Sequence, residues 1–207
     1  MTHTSFAFAA TQLQTNDIDQ FLELQDVVRN SLSVETRHYI KPRSAETLHN
    51  HLSSNMPILG LRHENHFAGV VMLTHPNNAN AKNLDGYPFD DLGDIDDISV
   101  IQNLYVDPQY RGQSLSTKLI KLSAEFSHIS DRQTIIAKAA SNNDKSQRAF
   151  LKNGFNVATN GTDPSLGHDV IYMRGKTSGV LNVIQMKNLS NPIPATILEI
   201  DNNRLTL

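Results

Sequence analysis

The chain contains no cysteine, which excludes disulfides, thiolate nucleophiles and cysteine-ligated zinc. It has no apolar stretch near the ~18 residues that a membrane-spanning helix needs, so no membrane association is expected. Residues Met1 to Ser5 bring no basic segment before the short apolar run Phe6-Ala7-Phe8-Ala9-Ala10, and no secretory signal is expected. A cytoplasmic location fits these absences. An excess of basic residues is missing too: Lys plus Arg number 18 against 21 Asp plus Glu, a formal net charge of -3. Nucleic-acid binders show a basic stripe, so no nucleic-acid partner is expected. The nine histidines lack the i, i+4 spacing of a helical metal site, and His63 and His66 fall in a predicted turn; no metal is expected. Repeats, heptads and low-complexity tracts are absent as well.

What remains is an ordinary globular composition. The 207 residues are 39% hydrophobic and 19% charged, enough for one large domain, or one domain with an appendage, around a core of normal depth. Phe6 to Leu13 reads as a strand. Thr15-Asn16-Asp17 offers N-caps for a helix whose apolar residues Ile18, Phe21, Leu22, Val28 and Leu32 fall on one face. A second helix is expected from about Ser44 to about Ser54, with Glu46 in its first turn. Ile58–Leu61 and Ala68–Leu73 read as strands joined by the polar turn His63-Glu64-Asn65-His66.

A long connection, His75 to about Asp97, holds Pro76, Pro88 and six aspartates: Asp85, Asp90, Asp91, Asp94, Asp96 and Asp97. Connections of this length are usually functional or mobile. Then come a strongly β-branched strand, Ile98–Val106, ended by Asp107-Pro108, and a helix carrying Leu115, Leu119, Ile120 and Phe126. Thr134–Ala137 reads as a strand and Asp144–Asn153 as a short helix stopped by Gly154. Phe155–Ala158 and Val170–Met173 read as closing strands. The order is that of an α/β sheet with crossover helices over residues 1–176. Residues 177–207 fall outside it as a C-terminal β extension: Val180–Ile184 and Ile197–Ile200 read as strands, and Asp201-Asn202-Asn203 as a turn into Leu205-Thr206-Leu207.

The chemistry is concentrated in Val106-Asp107-Pro108-Gln109-Tyr110-Arg111-Gly112-Gln113-Ser114-Leu115-Ser116. A strand ends, proline forces a turn, and a loop with Gly and Ser runs into an amphipathic helix. Several backbone N–H groups and the positive end of a helix dipole would then converge on one spot, suited to a pyrophosphate. Ser114 and Ser116 add hydroxyls, and Arg111 adds a cation able to pair with phosphate. An ordinary capped strand-to-helix turn fits the same residues. About thirty residues on, Asn143-Asp144-Lys145-Ser146-Gln147-Arg148-Ala149-Phe150-Leu151-Lys152-Asn153-Gly154-Phe155 reads, alone, as a capped helix with a glycine stop.

Together the two stretches resemble the GNAT (GCN5-related) N-acetyltransferase family. The first is similar to its acetyl-CoA motif, V-x-P-x-x-R-G-x-G-x-G/A, and the second to its N-x-x-[AS]-x-x-x-Y-x-K-x-G-F segment. The resemblance covers roughly residues 6–176. It implies an α/β fold with a mixed central sheet, flanking helices and a V-shaped splay between strands 98–106 and 134–140. In that cleft acetyl-CoA would act as cosubstrate. Its pantetheine would lie against the backbone of Leu104, Tyr105 and Val106, and its pyrophosphate over Arg111, Gly112, Gln113, Ser114, Leu115 and Ser116. Asn143, Ser146 and Phe150 would flank it. An N–H of strand 98–106 would polarise the thioester carbonyl. The implied reaction is direct attack of a primary amine, on a small molecule or peptide, upon the acetyl thioester. No covalent enzyme intermediate is needed, which agrees with the lack of cysteine.

The pattern departs from the family at three places. Ser114 and Ser116 replace the usual glycines of the phosphate loop. Phe150 replaces the tyrosine often used to protonate the leaving thiolate. Lys138 stands where some relatives carry a glutamate base, and strand 98–106 holds no carboxylate. Catalytic residues are therefore not assigned; Asp96, Asp97, His75, His168 and Asp169 are candidates from outside the motifs. These departures also motivate an alternative, a non-catalytic acyl-CoA-binding or regulatory module on the same fold. The aspartates of 75–97 would draw a cationic amine acceptor towards the cleft, or simply keep a loop solvated. The C-terminal extension is expected to pair with a sheet edge or with a second subunit as a homodimer.

Overall fold

The computed structural model describes residues 6–77, 84, 87, 93–163, 167–190, 199–201 and 204–206. A seven-stranded mixed sheet carries the molecule. In chain order its parts are β1 (Ala9–Gln12), α1 (Ile18–Asn30), α2 (Ala45–Ser53), β2 (Ile58–His63), β3 (His66–Thr74), β4 (Ile98–Val106), α3 (Leu115–Ile129), β5 (Thr134–Ala140), α4 (Asp144–Leu151), β6 (Asn156–Asp163) and β7 (His168–Lys176). Strands lie in the order β1-β2-β3-β4-β5-β7-β6. All neighbours are antiparallel except β4 and β5, which are parallel. The mixed α/β architecture with flanking helices is as the sequence implies.

Local signals account for most boundaries. The Ser44 hydroxyl accepts the Thr47 N–H at 3.2 Å, capping α2. Ahead of α1, the Asp17 carboxylate accepts the Gln14 N–H at 2.9 Å and pairs with Arg62 at 2.6 Å, which fastens the helix start to β2. The turn His63–His66 is a hairpin with Glu64 at φ 53°. Gly154, at φ +90°, stops α4, and a Cβ there would lie 3.2 Å from the Cα of Val180.

The sheet separates two apolar layers. On one face Leu59, Leu61, Val71, Leu73, Ile101, Ile135, Ala137 and Met173 pack with Leu115, Leu119 and Ile120 of α3. On the other, Ile58, Val70, Met72 and Tyr105 pack with Ile18, Phe21, Leu24 and Val28 of α1 and Leu48 of α2. Leu84 and Tyr87, from the long connection, cover Ile98, Val100 and Ile136 on this second face; Pro88 and the aspartates at 85, 90 and 91 lie outside the described residues.

Three sequence expectations are corrected. Strand β1 is shorter than Phe6–Leu13: Phe6 and Phe8 instead place their rings against Tyr110 and His63, at 5.4–5.7 Å from Tyr110 and 5.1–5.7 Å from His63. Strand β6 runs on to Asp163. The largest change is at Val180–Ile184, which is no strand but part of α5 (Thr177–Ser190). Its β-branched content favours a strand in isolation, but tertiary packing decides. Thr177 is anchored by its N–H to the Gln133 carbonyl (3.0 Å) and by its hydroxyl to the Arg132 carbonyl (2.8 Å), and Val180 is fully buried in the α3-side core. Beyond α5, β8 (Glu199–Asp201) and β9 (Arg204–Thr206) form a separate antiparallel hairpin that approaches β1. The residues read as its turn, Asn202 and Asn203, lie outside the described residues.

Candidate active site

The parallel pair β4–β5 runs in register from Ile98↔Thr134 to Ile101↔Ala137 and goes no further. Past that point β5 continues to Ala140 against β7, while Gln102–Val106 stay with β3. The two strands therefore part after Ile101, and the β5-facing edge of Gln102–Val106 has no strand partner among the described residues. Gln102 itself is a bulge: Met72 pairs with Asn103 and Leu73 with Ile101. An inserted residue bends its strand and raises the local twist, a direct cause of the divergence. It also changes which side chains face which layer. Leu104 and Val106 join Ile101 on the α3 face, whereas Tyr105 turns to α1 and stacks on Phe21 at 5.7 Å. Only the backbone of Tyr105 is thus left for the cleft; burial pushes its phenol up to about 12, opposed by nearby Arg43.

At the open end of the splay, the Asp107 carboxylate caps a one-turn 3-10 helix, Pro108–Tyr110, by accepting the Gln109 N–H at 2.9 Å. Gly112 follows at φ +85° with open space where a Cβ would be. Ser114 is the N-cap of α3 and sits in the left-handed region, φ 58°, ψ 24°, the conformation glycine adopts without cost. Ser116 is helical. The hydrogen bond from the Lys118 N–H to the Ser114 carbonyl (3.1 Å) opens α3, so the amides of Leu115, Ser116 and Thr117 precede any intrahelical acceptor. Those amides and the positive end of the helix dipole point the same way, a geometry that favours an anion. Gln113 is half-buried, Leu115 is buried, and Arg111 is exposed, donating to the Ser31 hydroxyl at 2.9 Å just past α1.

On the β5 side, the Asn143 side chain caps α4 by accepting the Ser146 N–H at 3.1 Å, and Ser146 is half-buried. Phe150 is only 3% exposed and packs edge-on against Phe155 at 5.1 Å, inside the α3-side core. A link the sequence did not reveal is Asn153, fully buried, which donates to Thr117 Oγ1 (3.2 Å) and to the Ala149 carbonyl (2.6 Å). It ties the end of α4 to the first turn of α3, holding both flanks of the cleft in one frame.

Opposite the α3 face, the groups beside the apex of the splay are polar. Lys138, one residue past the last β4–β5 pair, forms an ion pair with the buried Asp163, and its Nζ lies 5.1 Å from the Tyr87 ring centre. Tyr87 meets Tyr172 at 5.4 Å, and burial holds both phenols above the usual range. Arg43, in the loop before α2, donates to the side-chain oxygens of Asn103 and Gln102, both at 2.9 Å. Sequence reasoning passed over Arg43 and Tyr87 because neither lies in a motif; only tertiary structure brings them here.

The five candidate acid–base residues do not converge. Asp96 and Asp97 are exposed in the turn before β4, at the end of the strand remote from the splay. His75 packs on Phe126 at 5.8 Å; burial, with Arg132 and His51 adding to it, lowers its imidazole to about 4. Asp169 is exposed and accepts the Thr162 hydroxyl at 2.9 Å. His168 alone shares a sheet face with Lys138 and Tyr172, as the pairing Lys138↔Tyr172 and the alternation along β7 require; its ring meets Tyr39 and His38, each at 5.3 Å. Among the described residues no cluster of three or more His, Asp or Glu could hold a metal.

The mixed sheet is thus parted at its parallel pair, with the N-terminus of α3 at the open end of the cleft. The chain matches the sequence profile of the acetyltransferase (GNAT) family over residues 24–155, and it belongs to that family. Its fold is similar to the ribosomal-protein-S18-alanine N-acetyltransferase of Escherichia coli, with a TM-score of 0.62 at 15% identity over 83% of this chain and 94% of that one. It is also similar to a GNAT-family acetyltransferase of Streptococcus pneumoniae (TM-score 0.62, 13% identity, 82% and 99% covered). A Salmonella typhimurium structure described as an acetyltransferase with its cofactor acetyl-CoA matches at TM-score 0.61 and 14% identity, covering 83% and 94%. No curated protein sequence matches significantly.

Proposed function

We propose that this chain transfers an acetyl group from acetyl-CoA to a primary amine of a small molecule or peptide by direct attack on the thioester. The observation that carries this reading is the end of β4–β5 pairing at Ile101↔Ala137, which leaves a backbone edge beside the first turn of α3. The residues fit the cosubstrate. Gln102–Val106 offer unpaired peptide groups to a pantetheine amide, and Leu104 and Val106 supply apolar contact. The amides of Leu115–Thr117 and the Arg111 guanidinium face a pyrophosphate. Acetyl-CoA brings the activated acyl carbon and a leaving thiolate. A β4 N–H then takes the charge that develops on the carbonyl oxygen. As the C–N bond forms and the C–S bond breaks, the amine loses one proton to water and the thiolate, whose pKa is about 8.5 as a free thiol, leaves with or without a proton. No side chain is needed as nucleophile.

In this reading residues 1–176 form the catalytic domain, α5 of the 177–207 extension packs onto its core, the β8–β9 hairpin is the part suited to pairing with a second copy, and the chain is cytoplasmic. No described helix is long and apolar enough to cross a membrane. Two observations favour the alternative of a non-catalytic acyl-CoA-binding module: Phe150 is sealed in the core, and Lys138 is paired with Asp163, so neither supplies an acid or a base.

Calorimetric titration with acetyl-CoA tests the reading, with Ser114→Trp filling the phosphate loop as control. Micromolar binding, lost in the variant, is expected. A thiol-release assay over an amine panel follows, free of protein-thiol background because the chain has no cysteine. Binding with no release from any amine would leave the binding-module reading standing; no binding at all would end both.

A further inference from the structure

We propose that Arg43 is the anchor for a carboxylate on the acceptor, so that the amine acetylated here belongs to an amino-acid-type molecule; this rests on the acetyltransferase reading above. The guanidinium is half-buried, yet its partners are neutral: Nε donates to Asn103 Oδ1 and Nη2 to Gln102 Oε1, both at 2.9 Å. Among the described residues no carboxylate lies within ion-pair distance of it, and Nη1 makes no hydrogen bond. A cation withdrawn from water without a counter-charge is costly, and burial accordingly lowers its proton affinity. Such a cost persists where a ligand supplies the missing charge.

The position is specific. Gln102 and Asn103 are the first two residues beyond the last β4–β5 pair, so the guanidinium sits at the apex of the splay, where the thioester would end. It is also held there. Gln25, 3% exposed, grips residue 43 from both sides, accepting its N–H at 2.7 Å and donating to its carbonyl at 3.1 Å. Asn103 donates in turn to the Tyr105 hydroxyl at 2.7 Å, and that hydroxyl reaches Gln25 at 3.5 Å. This closed ring of neutral groups spends its hydrogen bonds on aiming one cation. The other cation at the apex, Lys138, is already matched by Asp163. A pyrophosphate, placed at the α3 end of the cleft, leaves Arg43 free, and the planar fork of a guanidinium suits a carboxylate.

The test uses thiol release from acetyl-CoA with three sets of acceptors: the common α-amino acids, their carboxamides, and C-terminally amidated dipeptides beginning with Asp or Glu. Carboxylate-bearing amines should be acetylated with kcat/KM roughly tenfold or more above matched carboxamides. The first and third sets separate a main-chain carboxylate from a side-chain one. Arg43→Gln should raise KM for the preferred acceptor roughly ten- to a hundredfold with kcat little changed, and Arg43→Lys should recover part of the loss. Acetyl-CoA affinity, read by calorimetry, should stay the same in both variants and so report an intact fold. Equal rates with carboxamides, a preference that survives in Arg43→Gln, or acetyl-CoA binding without turnover of any carboxylate-bearing amine would each overturn the assignment. Failure of acetyl-CoA to bind would instead bring down the parent reading, and this inference with it.

Discussion

Single residues decide how well the cleft can receive an anion. Ser114 occupies a backbone conformation natural to glycine, φ 58°, at the position where the family usually has glycine. A non-glycine residue there costs about 1–2 kcal/mol, while glycine would cost about 0.5–1 kcal/mol in unfolded-chain entropy. Ser114→Gly should therefore stabilise the protein by about 0.5–1 kcal/mol, a rise in Tm of about 1–4 °C; a thermal melt showing no gain would refute the strain. Both motifs were legible because each links a local signal, Asp107-Pro108 or Asn143 with Gly154, to a strand–helix junction. The strained φ at Ser114 was not legible, since serine reads as an N-cap whether or not its backbone is relaxed. Nor was the fate of Phe150. The motif marks the position, but only packing against Phe155 turns the ring inward.

At the scale of elements, local pattern predicted the strands and helices that carry the cleft and failed where tertiary contacts override propensity. Val180-Leu181-Asn182-Val183-Ile184 looks like a strand from composition, yet it becomes a helix because Thr177 docks on the Arg132–Gln133 turn and Val180 fills a space lined by Gly154. The extension thus completes the core through α5. Val180→Ala should cost about 1.5–3 kcal/mol, measured by urea unfolding. A chain ending at Lys176 should melt at a clearly lower temperature than one ending at Ser190. Equal melting of the two would show that α5 contributes nothing. Of the groups at the apex of the splay, Lys138 was marked by the resemblance, whereas Arg43, Tyr87 and Asp163 were hidden because they come from separate segments that no spacing rule connects.

The whole molecule carries a pH dependence set by its interior. His51 and His75 are both lowered from 6.5 to about 4, each mainly by burial. Between those two values the unfolded chain binds protons that the folded protein refuses, so stability is full above about pH 6.5, falls as pH drops, and is lost as far as these groups are concerned by about pH 4. At 1.36 kcal/mol per pH unit and allowing for the partial exposure of His75, the loss should be about 2–4 kcal/mol. Urea unfolding at pH 7.5 and 4.5 measures it, and a His51→Gln/His75→Leu double variant should flatten the profile; an unchanged slope would assign the acid sensitivity elsewhere.

The bulge at Gln102 reaches beyond its own turn of strand. Before it, the odd-numbered side chains of β4 face α3, as Ile101 does; after it the even-numbered ones do, as Leu104 and Val106 show. The extra residue acts as a frameshift written into the fold. The same residues paired without the bulge would turn Asn103 and Tyr105 into the apolar layer beneath α3 and Leu104 and Val106 towards the polar network around Arg43. Deleting Gln102 would join the Leu73↔Ile101 and Met72↔Asn103 pairs without a break, leaving each side chain on its own side of the cleft while removing the bend that opens it.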